Sequence, residues 1–461
     1  MLALAAAMTV ALVTSPQTTL ASSPDEKAAK QATLARGDWL EVRGELRGRL
    51  KVYDHRHERP GYVQPWQVRT FPLDESAAPA LRTIVGFVRD EPGAESLGIG
   101  ATALFLKVAP AAAIGPDVLD ALGTMAERLA RRATRGAAVD ELEVAKSYGI
   151  AFYSLESPAG VRVCYDGEAF RRVLASPAAS GEAKARAALA LSDPTCAAPV
   201  AGLAAEQAAL EGRLAVLDAV SGAPPFLAGR VRIRRVGLLA TLAWLRARQG
   251  DATASAAAAG QAFDTFAGIE RLDLAAEDGA AYQEAAVRVA VARWLREPAA
   301  TSPGEGAHLE LAPGKEGETC VRLVAGKKAE VERCTFGLPL LASVRKGPKA
   351  SSVAIAVQLL PGWVEVWLFR RAGDGWIVDP IVPAETDPEL GYAEVAGFSP
   401  DGKRVLVVRE ARAEVGGLRR TFEVRLVATL AVELQARSAA ALSAFARFSS
   451  PDWKRGTVAL R

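Results

Sequence analysis

FSPDGKRVLVVRE, residues 398–410, is a turn followed by an apolar strand, and the rest of the chain is read outward from it. Ser399, Pro400, Asp401 and Gly402 suit the four positions of a type I turn, because proline pre-sets φ at the second position and glycine accepts the exit geometry at the last. Val405, Leu406, Val407 and Val408 then run without alternation. A strand with one wet face alternates, so an unbroken apolar run predicts a strand covered on both faces, inside a sheet.

The FSPDG turn and the strand behind it, Phe398 to Glu410, resemble the WD40-like repeat of TolB-type periplasmic β-propellers, in which such a turn recurs once per blade. The resemblance implies blade-like antiparallel sheets. About 52 positions upstream, Lys346, Gly347 and Pro348 precede Val353, Ala354, Ile355, Ala356 and Val357, a second turn and strand without the same letters. From Thr319 onward there is room for roughly three to four blades, at the lower edge of the roughly 4 to 8 that close a ring. A sandwich or an irregular antiparallel domain is therefore the alternative.

A chain of 461 residues, half of them apolar, predicts roughly two to three domains with ample material for cores. Fifty-six basic and 53 acidic side chains leave a formal charge of +3. That balance is too small for a nucleic-acid or anionic-membrane partner held by bulk electrostatics. Arg230, Arg232, Arg234 and Arg235 read as the solvated face of a helix.

Residues 2–13 form an apolar run too short to span a bilayer, and Thr19, Leu20 and Ala21 after it suit a signal-peptidase site. The expectation is a signal peptide over 1–21 and a polar tether over 22–36; a buried N-terminal helix is the other reading. The run lacks a basic n-region, which places the true start upstream if export is correct. No other apolar run approaches the length of a membrane span, so no transmembrane segment is expected in the mature chain.

The four cysteines form two sequence-local pairs, as expected of an oxidising compartment: Cys164 with Cys196, and Cys320 with Cys334. VRLVAGKKAEVER between the second pair reads as a hairpin about Lys327 that sets Cys320 directly opposite Cys334. Non-hydrogen-bonded cross-strand Cα atoms lie about 4.5 Å apart, near the short limit for a disulfide. Closing this loop is worth about 3 kcal/mol in the chain-entropy model. Four buried free thiols are the alternative.

Taken in order, residues 37–165 predict a mixed strand and helix domain. It holds hairpins from Trp39 to Phe71, strands at 83–88 and 101–108, a helix from Pro116 to Arg135, and strands at 150–155 and 161–165. Residues 166–298 predict a helical domain, with helices at 181–191, 230–249 and 280–297; Gly250 stops the second of these, and Asp251 caps the helix that follows. These helix pairs resemble the helical hairpins of tetratricopeptide proteins without a clean 34-residue period, so a small bundle is the simpler reading. Residues 299–316, rich in Pro, Gly and Ser, predict a linker, and 317–461 an antiparallel β domain. Trp363, Trp367, Phe369 and Trp376 are read as core, with an exposed aromatic binding face as the alternative.

Three histidines leave few acid-base or metal sites. His55 and His57 could start a metal site with a carboxylate or His308, but DHRHERPG reads as a solvated turn. There is no HExxH, CxxC, Walker or GxSxG motif. Gly98, Gly100 and Ala103 match a loose dinucleotide fingerprint, set aside because a strand rather than a helix is expected after it. No catalytic, cofactor-binding or metal-ligating residue is assigned, and no cofactor is expected.

The expected fold class is α+β multidomain: a mixed N-terminal unit, a helical middle and an antiparallel C-terminal domain, either a sandwich or partly propeller-like. The expected function is an exported, periplasmic or secreted, non-enzymatic binding or scaffold module of the bacterial envelope, with a protein or envelope polymer as partner. An exported hydrolase built on Asp and Glu is the alternative. A small-ligand sensor would instead need a closed apolar pocket.

Overall fold

A computed structural model describes residues 8–157, 160–297, 307–326, 328–385, 389–413 and 417–456. The chain is an α+β multidomain protein that divides into two compact units, one holding 1–199 and 216–224, the other 200–215 and 225–461.

In the first unit seven strands make one antiparallel sheet: β1 (Thr9–Val13), β2 (Gln17–Ala21), β3 (Lys30–Ala35), β4 (Trp39–Leu46), β5 (Arg49–Asp54), β6 (Arg59–Val63) and β7 (Val68–Pro72). Their order is β3-β2-β6-β5-β4-β1-β7. β1 sits between β4 and β7, with Val10 opposite Glu41 on one side and Phe71 on the other. Side chains alternate between faces along a strand, and here both faces are covered. Val10 and Leu12 pack against helices, while Ala11 and Val13 join Leu20, Leu34, Leu40 and Val52 in a core made by strands alone.

The stretches expected as a removable signal, 1–21, and as a tether, 22–36, carry β1, β2 and β3 of this sheet. Cleavage after Ala21 would take away β1 and β2, and β3 falls within the expected tether, paired with β2 from Gln17↔Ala35 onward. A doubly covered strand and the apolar core of a signal peptide are both short unbroken apolar runs, so composition does not separate them. Residues 1–7 lie outside the described part of the chain.

Four helices follow: α1 (Ala78–Val88), α2 (Glu95–Val108), α3 (Pro116–Thr134) and α4 (Val139–Ser147). The strands expected at 83–88 and 101–108 are therefore helical. α2 buries Ile99, Ala101, Thr102, Leu104 and Phe105 around much of its circumference, which erases the period that would have announced a helix. Two buried carboxylates lock the layer: Glu95 on α2 is held by Arg132 at 2.5 Å, and Asp120 on α3 by Arg89 at 3.0 Å. The expected strands near 150–165 are the hairpin β8 (Phe152–Ser157) and β9 (Gly160–Tyr165), followed by α5 (Glu168–Ala175) and α6 (Gly181–Leu191).

The expected helical middle domain is not one body. α5 and α6 belong to the first unit, and α7 (Leu203–Asp218) begins in the second, where α8 (Pro225–Arg248), α9 (Ala252–Ala267) and α10 (Gly279–Arg296) follow. These last three share a core with strands rather than forming a free-standing bundle: Ala286 and Val289 of α10 pack with Leu340, Ala356, Val364 and Tyr392. The expected linker also shrinks. Residues 298–306 are outside the described chain, and β10 (His308–Pro313) is already a strand.

β10 pairs with β11 (Thr319–Ala325), and β11 with β12 (Lys328–Thr335). Two four-stranded antiparallel meanders follow. One is β13 (Leu338–Lys346), β14 (Ser352–Leu360), β15 (Trp363–Ala372) and β16 (Gly375–Ile381). The other is β17 (Gly391–Phe398), β18 (Arg404–Arg412), β19 (Leu418–Leu426) and β20 (Val432–Ala436). A short parallel pairing, Trp363↔Gly391 and Val364↔Tyr392, joins β15 to β17. The described sheets are open, with β13 and β20 at the free ends of the larger one.

The meanders also stack. Val353, Ile355, Trp367 and Phe369 of the first pack on Val321 and Leu323 of β11. On its other face, Ala354, Val366 and Leu368 meet Ala393, Val395, Val405 and Val407 of the second. Leu406, Val408 and Phe422 then pack beneath Phe445 of α11 (Ser443–Phe448), which α12 (Pro451–Gly456) follows. Val405 to Val408 are each 0% exposed, and the Gly402 N–H donates to the Ser399 carbonyl at 2.9 Å to close the turn, as the opening motif requires. Trp363, Trp367, Phe369 and Trp376 are all buried, so the aromatic group is core.

Both disulfides are formed. Cys164–Cys196 ties β9 to a 3-10 turn beyond α6, and Cys320–Cys334 joins residues directly opposite in the β11–β12 register, with Cα atoms 3.8 Å apart, closer than the expected spacing. Lys327, the expected hairpin centre, lies outside the described residues. Among the described residues no helix is long and apolar enough to cross a membrane.

Two outcomes are expected. Deleting residues 1–21 abolishes cooperative unfolding of the first unit, and the milder Leu12→Ala, emptying a side chain that is 1% exposed, costs roughly 2 to 5 kcal/mol in urea titrations. Cys164→Ser lowers stability by about 2 to 5 kcal/mol, and non-reducing peptide mapping of the intact chain returns only the two sequence-local pairs.

Candidate functional site

Each histidine has its own carboxylate neighbour. His55 Nε2 lies 2.9 Å from Glu41, His57 Nδ1 lies 2.5 Å from Asp54, and His308, in the other unit, lies 2.9 Å from Glu310. Each ring thus has a local carboxylate, and His55 and His57 belong to a turn, as DHRHERPG suggests. The grouping of described residues closest to a metal set is Cys320, Glu332 and Cys334, but its two sulfurs are bonded to each other and offer no thiolate.

Gly98 and Gly100 fall inside α2, not in a turn between strand and helix, and α1 rather than a strand precedes them. The fingerprint fails for that reason, not for the expected one. The glycines serve packing: a Cβ on Gly100 would stand 2.3 Å from the Gly37 carbonyl oxygen.

An open cleft of about 1370 Å³ is lined by described residues of the second unit. One wall is made by α9, the start of α10 and the segment between them, and presents Phe266, Ile269, Leu274 and Tyr282. Tyr282 stacks on Phe266 with ring centroids 5.0 Å apart, and the Arg271 guanidinium lies 5.5 Å from the centre of the Tyr282 ring. The facing wall comes from the start of β19 and the residue after β20, and presents Arg419, Arg420 and Arg437. Four arginines and two glutamates, Glu385 and Glu410, line the whole, an excess of two positive charges among these residues.

Both glutamates are engaged. Glu385 accepts from Arg419 Nη1 at 2.9 Å. Glu410 Oε1 accepts from Arg420 at Nε (3.0 Å) and Nη2 (2.7 Å). Glu410 is 1% exposed and stands in register with Tyr392 on β17 and with Arg420 on β19, so the three form a row across the sheet. Burial pushes the Glu410 carboxyl above the usual glutamate range; Arg420 opposes that shift without cancelling it. Burial likewise drives the Tyr392 hydroxyl well above its ordinary value.

One step along β17, Glu394 is paired with Arg293 of α10 and accepts from Trp453 Nε1 of α12 at 2.7 Å. Arg293 and Glu394 are both buried. The pair pins the helical layer to the sheet beside the cleft, and removing one partner would strand the other charge.

This cleft is absent from the sequence reading, because it depends on bringing 263–286 against 410–437. A signal existed in Glu410 and in Arg419-Arg420: charges at the ends of otherwise apolar strands need partners or a wet surface.

Glu410 gives a pH dependence with a definite sign. With its native value raised, the folded chain keeps a proton that the unfolded chain releases above its ordinary value, so stability falls as pH rises through the window above about 4.5. Asp38 in the first unit is shifted the same way by burial. Urea titrations from pH 4 to 7 are therefore expected to show a shallower decline in Glu410→Gln, not a flat profile.

With that geometry established, no family model, curated protein or solved structure matches the chain.

Proposed function

We propose that this chain is a non-enzymatic binding module working in an oxidising, envelope-type compartment, and that the cleft of the second unit receives an anionic ligand. The observation that carries this reading is the charge of the cleft: four arginines against two glutamates that already accept from arginine. Arg437 is exposed at the cleft and makes no hydrogen bond or ion pair among the described residues, so its guanidinium fork is available to a carboxylate or phosphate. The two disulfides are compatible with export.

One observation favours the second reading, an exported carboxylate hydrolase. Glu410 is a buried acid with a raised proton affinity at the edge of a cleft, as a general acid would be. Against it, Glu410 has one oxygen committed to Arg420, and the second cleft carboxylate is bound to Arg419.

Calorimetric titration with sulfated dextran and with inorganic phosphate separates the readings. Arg437→Ala is expected to weaken anion binding roughly 10- to 150-fold, as loss of a charge-assisted contact worth roughly 1.5 to 3 kcal/mol requires, with the unfolding midpoint unchanged. The binding reading fails if no anion binds, whether simple, polymeric or carried on an aryl body. Turnover of an envelope glycan that disappears in Glu410→Gln would establish the hydrolase instead.

A further inference from the structure

The two walls of the cleft differ in chemistry as well as in origin. The helical wall is aromatic and aliphatic, with Phe266, Ile269, Leu274 and Tyr282; the strand wall is cationic, with Arg419, Arg420 and Arg437. A simple anion or a polyanion would use only the second wall, leaving the first as wetted apolar surface inside a concavity. Resting on the proposed anion-binding reading, we infer that the ligand is an amphipathic organic acid: an aryl group against the Tyr282 wall, and a carboxylate or phosphate held by the arginines opposite.

Three features support an aryl body over an alkyl chain. Tyr282 is half-buried and already stacked on Phe266 at an interplanar angle of 29°, so its orientation is fixed before a ligand arrives. Planar rings gain from offset stacking beyond the area they bury. Arg271, over the Tyr282 ring, adds a cation at the border between the walls, where the anionic end of a ring-bearing acid would pass. Glu410 is deep and engaged by Arg420, so it holds that guanidinium in place rather than contacting the ligand.

The test titrates the full chain with four probes: indole-3-propionate, its primary amide, octanoate and inorganic phosphate. Indole-3-propionate is expected to bind, with its amide about tenfold weaker for loss of the charge, and octanoate weaker than the aryl acid by a factor of about three to ten for loss of stacking. Arg437→Ala should weaken both acids alike. Tyr282→Leu should weaken the aryl acid alone and abolish its induced near-ultraviolet dichroism.

Because Tyr282 also packs against the core, Arg271→Gln serves as a second variant that leaves the rings in place, and it should weaken indole-3-propionate more than octanoate. If octanoate or phosphate binds as tightly as the aryl acid with the same dependence on Arg437, the aryl claim falls while the anion site stands. If no probe binds and sulfated dextran also fails, both fall.

Discussion

Strands covered on both faces set the architecture of each unit. Such a strand cannot be finished by one packing partner, so a second layer must form on its far side. In the second unit, β18 sends Val405 and Val407 toward the neighbouring meander and Leu406 and Val408 toward α11, and that double demand produces the stack of sheets with a helical cap. In the first unit, β1 does the same with a strand-only core on one side and the helices on the other. Leu12, Leu406 and their like are 0 to 1% exposed, and at roughly 25 cal/mol per Å² of apolar area their burial dominates any single polar contact described here.

The same pattern explains what was legible and what was not. At 405–408 an unbroken apolar run, fenced by the unambiguous SPDG turn, was readable as an interior strand, and it is one. At 9–13 an equivalent run had no such fence and lay near the first residue, so it read as a leader. Val353 and Val405 each lie next to the start of the second strand of a meander. The error at 83–88 and 101–108 has a different cause. α2 is buried around most of its surface and loses the polar stripe that marks period 3.6, whereas α1 is buried on one side only but carries Phe87 on its solvent side, so both short apolar runs pass for strands.

The disulfides were legible because their loops are local, and a symmetric hairpin fixes which residues face each other. The cleft was not, because its walls lie far apart in the chain. Tyr282 and Arg437 carry no shared motif, and only the packing of α10 over the sheet brings their elements together. What could be read was the anomaly of Glu410, a carboxylate closing a run of buried valines, whose need for a partner is met by Arg420 one strand away.

The placement of β1 bears on how the chain is made. Thr9–Val13 is synthesised before either of its neighbours, Trp39–Leu46 and Val68–Pro72, yet it ends between them. At ribosomal rates its second partner follows only after about 3 to 12 s, an interval in which at least one edge of an apolar segment is open to chaperones, or to the edges of other nascent chains. The sheet is complete only when β7, its edge strand, adds beside β1, so the second edge of β1 stays open to other pairing until Val68–Pro72 has been made.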